Sequence, residues 1–81
     1  MIDDVTRSKI IRHLIQASDL DVKADEVTAA TSLREDLDIN SLQALTLVMD
    51  LEEEFGITVE DEEFQALQTV ADVFDLVAAK T

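Results

Sequence analysis

The 81-residue sequence has no cysteine, no proline, no tryptophan or tyrosine, and a single glycine, Gly56. Without cysteine, the chain forms neither a disulfide framework nor a thiolate metal site. Its one histidine, His13, is too few for a histidine zinc site, and we find no nucleophile–base pair for a catalytic triad. No apolar run has the length of a membrane span or of a signal peptide. The sequence therefore predicts a soluble, cytoplasmic, non-enzymatic protein that does not insert into membranes and binds no metal.

Basic residues are also scarce, and their distribution is uneven. The net charge is −13; residues 1–34 hold five basic and six acidic residues, whereas residues 35–81 hold one basic residue and thirteen acidic ones. Repulsion from phosphate groups argues against nucleic acid or an anionic membrane as a partner. Basic protein surfaces are the natural complement, with fast and salt-sensitive association.

Apolar residues recur at helical spacing, which together with the lack of proline and glycine predicts an all-α fold. We expect one domain over residues 1–81, a small antiparallel bundle of three main helices plus one short helix. A long loop, from Ser18 to Ile39, separates helices 1 and 2, and Ser32 with Glu35 matches a capping box that could start one short turn in it. The predicted helices cover about Asp4–Ala17, Ser41–Phe55, Asp61–Ala66, and a fourth that begins after Thr69. Gly56 is expected to end the second helix in a left-handed conformation.

The second helix has two distinct faces. Its core stripe is predicted to consist of Ala44, Leu47, Val48, Leu51 and Phe55. The opposite face is acidic, yet Leu42 and Met49 also fall on it. Two apolar side chains among carboxylates favour a docking patch over chance exposure, since methionine suits varied partners.

Ser41 begins this helix and has two interpretations. Serine is a common N-cap, because its hydroxyl accepts a hydrogen bond from a free N–H group of the first turn. Asn40 can serve as the cap instead, which would leave the Ser41 hydroxyl free. A phosphate esterified to that hydroxyl would face unpaired N–H groups and the positive end of the helix dipole.

The segments Leu37-Asp38-Ile39-Asn40-Ser41-Leu42 and Leu51-Glu52-Glu53-Glu54-Phe55-Gly56, in this order of helices, resemble the acyl carrier protein family over nearly the whole chain. The resemblance implies that Ser41 carries 4′-phosphopantetheine, transferred from coenzyme A by a phosphopantetheinyl transferase. The thiol of that group would hold an acyl intermediate as a thioester for enzymes of lipid or specialised acyl or polyketide biosynthesis. A monomeric carrier with no activity of its own is expected.

The resemblance also implies two further sets of residues. Partner docking would use Asn40, Leu42, Met49, Asp50, Glu52 and Glu53. An acyl cavity would be lined by Val48, Leu51, Val59, Phe64, Leu67 and Val70. Asn40 stands where the family usually has aspartate, and Phe64 stands where a small residue is common. We therefore expect the Phe64 ring to fill part of the cavity and to favour short or polar cargo, or cargo left outside the core. The expected partners are the transferase, an acyl- or aminoacyl-loading ligase, and synthases or transferases with basic docking surfaces.

Two alternatives stay open at this level. The chain could be an aminoacyl or peptidyl carrier, which Asn40 and Phe64 allow. It could also be an unmodified acidic interaction module, in which Ser41 only caps its helix and Leu42 and Met49 bind a basic partner. Replacing Ser41 by alanine separates these classes, because only a carrier loses its function.

Overall fold

The computed structural model describes residues 2–81 and has the predicted all-α architecture. Over those residues the α-helices are α1 (Asp4–Ala17), α2 (Ser41–Phe55), α3 (Asp61–Gln65) and α4 (Val70–Lys80), and a 3₁₀ turn covers Ala24–Glu26. The predicted bounds of α1 and α2 are confirmed. The 3₁₀ turn was not predicted, because three residues are too few to show a helical period. No helix in this part of the chain is long and apolar enough to cross a membrane.

Short polar residues define the helix ends. The Asp3 carboxylate accepts a hydrogen bond from the Thr6 N–H at 2.8 Å and so caps α1. Gly56 follows α2 with φ 64°, a left-handed conformation that glycine adopts without steric cost. The predicted glycine cap is therefore confirmed.

One hydrophobic core joins the helices to the long connection between α1 and α2. The fully buried side chains are Ile10, Leu14, Leu37, Leu47, Leu51, Val70, Val73 and Val77. Helix α1 packs against both α2 and α4. Val27, Leu33 and Ile39 from the connection also lie in this core. Because it contributes buried side chains at several points, the connection is held against the bundle.

Backbone hydrogen bonds tie the end of this connection to the segment that precedes α4. The Leu33 N–H donates to the Gln68 carbonyl at 3.0 Å, and the Val70 N–H donates to the Thr31 carbonyl at 3.0 Å. The Ile39 N–H turns back to the Leu33 carbonyl at 2.9 Å. These bonds place residues 33–40, and hence the start of α2, beside α3.

Asp72 holds the start of α4 and gives stability a pH dependence. Its Oδ2 accepts hydrogen bonds from the backbone N–H groups of Gln68 (2.9 Å) and Thr69 (3.0 Å). These bonds, that from Thr69 most strongly, lower the pKa of Asp72 below its usual value of 3.8. A lowered pKa in the folded state means that the ionised carboxylate stabilises the fold above the unfolded pKa. This stabilisation is lost as the pH falls through the folded pKa.

We therefore expect Asp72→Asn to be less stable than the wild type at about pH 7, with the difference shrinking below about pH 4. Urea unfolding at a series of pH values measures this difference. Asp75→Asn is the matched control, since Asp75 is an exposed residue of the same helix. If the difference in the free energy of unfolding between wild type and Asp72→Asn stayed constant with pH, the pH dependence could not be assigned to Asp72.

Candidate functional site

Asn40 caps α2. Its Oδ1 accepts a hydrogen bond from the Gln43 N–H at 2.9 Å, and the Gln43 Oε1 accepts one from the Asn40 N–H at 2.9 Å. Two residues before Asn40, Asp38 has φ 53°, a left-handed conformation that aspartate tolerates better than most residues. The chain thus enters α2 through a turn and a reciprocal capping box, and the predicted capping role of Asn40 is confirmed.

With the cap supplied by Asn40, Ser41 is left without a structural role. The side chain is exposed, and its hydroxyl makes no hydrogen bond with residues 2–81. By contrast, the Ser18 hydroxyl donates to the Leu37 carbonyl at 2.6 Å, and the Ser32 hydroxyl accepts from the Glu35 N–H at 3.1 Å. The second of these bonds starts the short turn predicted in the connection, but it is only one half of the expected capping box, since the Ser32 N–H donates to the Asp36 Oδ2 and not to Glu35. Ser41 therefore presents a free hydroxyl at the positive end of a fifteen-residue helix.

Removal of the cap should weaken α2 from its first turn. We expect Asn40→Ala to lower the free energy of unfolding by about 1 kcal/mol, because the Gln43 N–H loses its acceptor. Asn40→Asp keeps a side-chain acceptor and should retain the wild-type stability. Urea unfolding measures both. Equal stability of Asn40→Ala and Asn40→Asp would show that the capping bond contributes nothing.

A cleft of about 490 Å³ opens beside Ser41, between the end of the connection and α3. It is lined by Ser32, Leu33, Arg34, Glu35, Ile39, Asn40, Ser41, Ala44, Phe64, Gln65, Leu67 and Gln68. The lining combines apolar residues with polar and charged ones. A flexible chain attached at Ser41 would begin at this cleft.

The six predicted cavity residues fall into two groups. Phe64 and Leu67 are half-buried and line the cleft. Val48, Leu51 and Val70 are 4%, 0% and 0% exposed, lie in closed parts of the interior and do not line the cleft. The remaining residue, Val59, is half-buried against the core. The structure therefore brings only Phe64 and Leu67 to the cleft beside Ser41.

The exposed face of α2 carries an apolar stripe formed by Leu42, Leu45 and Met49. Their exposed fractions are 72%, 46% and 58%. Leu42 and Met49 occupy the solvent face on which the sequence placed them. Leu45 was missed because it falls between the two arcs of the helical wheel. Its spacing of three from Leu42 and four from Met49 is the signal that would have found it.

The predicted docking carboxylates differ in their surroundings. Asp50 and Glu53 are exposed and form no ion pair within residues 2–81. Glu52 is half-buried, and its Oε2 accepts a hydrogen bond from the Val59 N–H at 2.8 Å. Glu54 lies 3.3 Å from the His13 Nε2. Asp50 and Glu53 are thus free to face a partner, whereas Glu52 also ties α2 to the segment that precedes α3.

These features are typical of a carrier domain, which presents one free hydroxyl beside a cleft and supplies no catalytic machinery around it. Comparison with known proteins agrees. The family described as "Phosphopantetheine attachment site" matches residues 9–77. The acyl carrier protein of Thermosynechococcus vestitus is 44% identical over 94% of this chain and 96% of its own. That of Rubrobacter xylanophilus is 41% identical over 88% of this chain and 90% of its own.

Solved structures show the same similarity. The acyl carrier protein of Thermotoga maritima superimposes with a TM-score of 0.74 at 28% identity, over 98% of this chain and 94% of that one. The acyl carrier protein of Enterococcus faecalis superimposes with a TM-score of 0.73 at 26% identity, over 93% of this chain and 98% of that one. The chain belongs to the family of phosphopantetheine-bearing acyl carrier proteins. It is a carrier and not an enzyme, and such carriers interact with synthase and transferase enzymes.

Proposed function

We propose that Ser41 is the attachment residue for 4′-phosphopantetheine, and that the loaded chain delivers acyl thioesters to enzymes of lipid or specialised acyl or polyketide biosynthesis. The observation that carries this proposal is the free Ser41 hydroxyl. It is exposed and makes no hydrogen bond within the described residues, because Asn40 caps the helix in its place. When bound, the prosthetic group supplies the thiol that the cysteine-free chain lacks.

The chain supplies only the nucleophile for its own loading. In the transfer, the Ser41 Oγ forms a bond to the β-phosphorus of coenzyme A, and the pyrophosphate bond to the adenosine half breaks. Adenosine 3′,5′-bisphosphate leaves, and the hydroxyl proton passes to a base. Since no side chain of residues 2–81 hydrogen-bonds the Ser41 hydroxyl, the transferase has to provide that base.

The surroundings of Ser41 fit a phosphodiester and the arm beyond it. The backbone N–H groups of Ser41 and Leu42 donate no hydrogen bond within residues 2–81 and point from the positive end of α2. The first turn of the helix carries no acidic residue. The lining of the cleft beside Ser41 includes the apolar residues Ala44 and Leu67, which an arm attached at Ser41 can contact.

The α2 face supports docking of the transferase, a loading ligase and synthases with basic surfaces. The apolar stripe of Leu42, Leu45 and Met49 supplies area to bury, and Asp50 and Glu53 supply unpaired negative charge. An exposed apolar anchor surrounded by charge suits contacts that form quickly and release quickly.

We expect Leu42→Ala to lower kcat/KM for loading by a transferase by about tenfold, the effect of losing an apolar anchor worth 1–2 kcal/mol. Folding stability should change by less than about 0.5 kcal/mol, because the side chain is exposed. Leu20→Ala is the matched control, since Leu20 is an exposed leucine of the connection. Equal loss of loading in the two variants would argue against a docking role for the stripe.

The form of the cleft supports short or polar cargo. Phe64 occupies part of the cleft, and Asn40, Gln65 and Gln68 contribute amide groups to its lining. Leu51 and Val70 are fully buried in the core and do not line the cleft. The same features support an aminoacyl or peptidyl cargo as the second candidate.

The mass of the protein before and after incubation with coenzyme A and a broad-specificity transferase tests the proposal. The wild type should gain one phosphopantetheine group. A folded and initially unmodified chain that gains no mass would point instead to an unmodified interaction module.

A further inference from the structure

Arg34 is an isolated cation in an acidic part of the molecule. No other basic residue occurs between Lys23 and Lys80, while residues 35–81 contain thirteen acidic ones. Arg34 is exposed, and its guanidinium forms neither an ion pair nor a hydrogen bond within residues 2–81. Its neighbour Asp36 is already engaged, since the Asp36 Oδ2 accepts the Ser32 N–H at 2.8 Å. The positive charge of Arg34 is therefore not used by the fold.

The position of Arg34 is as informative as its charge. Arg34 and Ser41 line the same cleft, although six residues separate them in the sequence. The bond from the Leu33 N–H to the Gln68 carbonyl and that from the Ile39 N–H to the Leu33 carbonyl fold this segment back on itself. Leu33 and Leu37, on either side of Arg34, are buried in the core, so the segment that carries Arg34 is held against the bundle.

We infer that Arg34 binds the phosphodiester that joins Ser41 to its prosthetic group, an inference that rests on the proposed function. A phosphodiester at Ser41 introduces a negative charge into a cleft that already contains Glu35. A guanidinium can donate two parallel hydrogen bonds to two phosphate oxygens, and such bonds are among the strongest in proteins. The Ser41 and Leu42 N–H groups at the start of α2 complete the set of donors.

Two consequences follow for the loaded carrier. The root of the arm is held at the cleft, which favours conformations in which the arm lies along Phe64 and Leu67. A basic partner surface can then compete with Arg34 for the same phosphate and free the arm for delivery. Arg34 thus couples docking of a partner to release of the arm, and the contact weakens as salt is added.

Nuclear magnetic resonance of the loaded protein tests the inference. Intact mass first confirms that wild type, Arg34→Gln, Arg34→Lys and Arg12→Gln each carry one phosphopantetheine group. Arg12→Gln is the matched control, because it removes an exposed arginine that lines a different groove, on α1. We expect the Arg34 Nε–Hε signal of the wild type to shift between the unloaded and loaded forms, and the shift to be lost at high salt. The ³¹P signal should be displaced in Arg34→Gln, stay at the wild-type position in Arg12→Gln, and return most of the way in Arg34→Lys.

The possible outcomes separate the two proposals. If the wild type gains no mass, both the attachment at Ser41 and the role of Arg34 are rejected. If it is loaded but the Arg34 Nε–Hε signal does not move, and the ³¹P signals of wild type and Arg34→Gln coincide, only the role of Arg34 is rejected. If a variant fails to load, the shift of the Arg34 Nε–Hε signal between unloaded and loaded wild type is by itself sufficient to accept or reject the role of Arg34.

Discussion

Ser41→Ala is expected to gain no mass with coenzyme A and a broad-specificity phosphopantetheinyl transferase, under conditions in which the wild type gains one phosphopantetheine group. The loss should be complete, because Ser41 is the serine that begins α2, while the hydroxyls of Ser18 and Ser32 are held by hydrogen bonds within the fold and Ser8 lies on α1. The Ser18 hydroxyl donates to the Leu37 carbonyl, and the Ser32 hydroxyl accepts from the Glu35 N–H. No other residue can supply the same nucleophile at the start of α2.

The same substitution should leave the fold almost unchanged. Asn40 supplies the capping bond to the Gln43 N–H, so we expect the free energy of unfolding of Ser41→Ala to remain within about 0.5 kcal/mol of wild type. Ser32→Ala is the control, since Ser32 lines the same cleft and should load normally. Loading of Ser41→Ala at the wild-type level would refute Ser41 as the attachment residue.

Leu51→Ala is expected to lower the free energy of unfolding by about 2–5 kcal/mol, the range for a fully buried leucine replaced by alanine. Leu51 is 0% exposed and belongs to the core that joins α2 to the other helices. In a small domain such a loss is a large part of the total stability. Urea unfolding of the unloaded protein measures it.

The Leu51→Ala void also tests where cargo lies. In the wild type, a long acyl chain on the prosthetic group should raise the melting temperature only slightly, because Phe64 lines the cleft and Leu51 is fully buried in the core. In Leu51→Ala, the same chain can enter the void and should restore part of the lost stability. Leu14→Ala removes an equally buried leucine from α1, which contributes no residue to the cleft, and should show no such recovery. A large rise in wild type would contradict the preference for short or polar cargo.

Local sequence signals were sufficient for the helices and for the residue at the centre of the site. The bounds of α1 and α2 follow from apolar spacing, and the cap at Asn40 and the turn at Gly56 follow from side-chain and backbone preferences that act within a few residues. The free hydroxyl of Ser41 is a consequence of these same local rules. The expected role of Ser41 as attachment residue rests in addition on the resemblance of residues 37–42 to the acyl carrier family, a signal that is also local in the sequence.

Contacts between distant segments could not be predicted in this way. Glu52 belongs to the acidic run of α2, and only the folded chain shows that its carboxylate accepts the Val59 N–H at 2.8 Å. Leu45 has a spacing compatible with either face, so its exposure depends on how α2 is turned toward its neighbours. The presence of Phe64 and Leu67 in the lining of the cleft likewise depends on where α3 and the segment after it pack.

By itself, the sequence determined that this chain is an acidic helical domain with a free serine hydroxyl expected at the start of α2, since composition, periodicity and capping are properties of neighbouring residues. The expected carrier role of Ser41 rests on the resemblance of residues 37–42 and 51–56 to the acyl carrier family. The tertiary structure decided which side chains surround Ser41. It brought Arg34 and Phe64 to one cleft with Ser41 and closed the core around Leu51. The physical reason is that the shape of a cleft depends on the packing of segments far apart in the chain. That packing is set by the summed burial of many side chains and by no single local pattern.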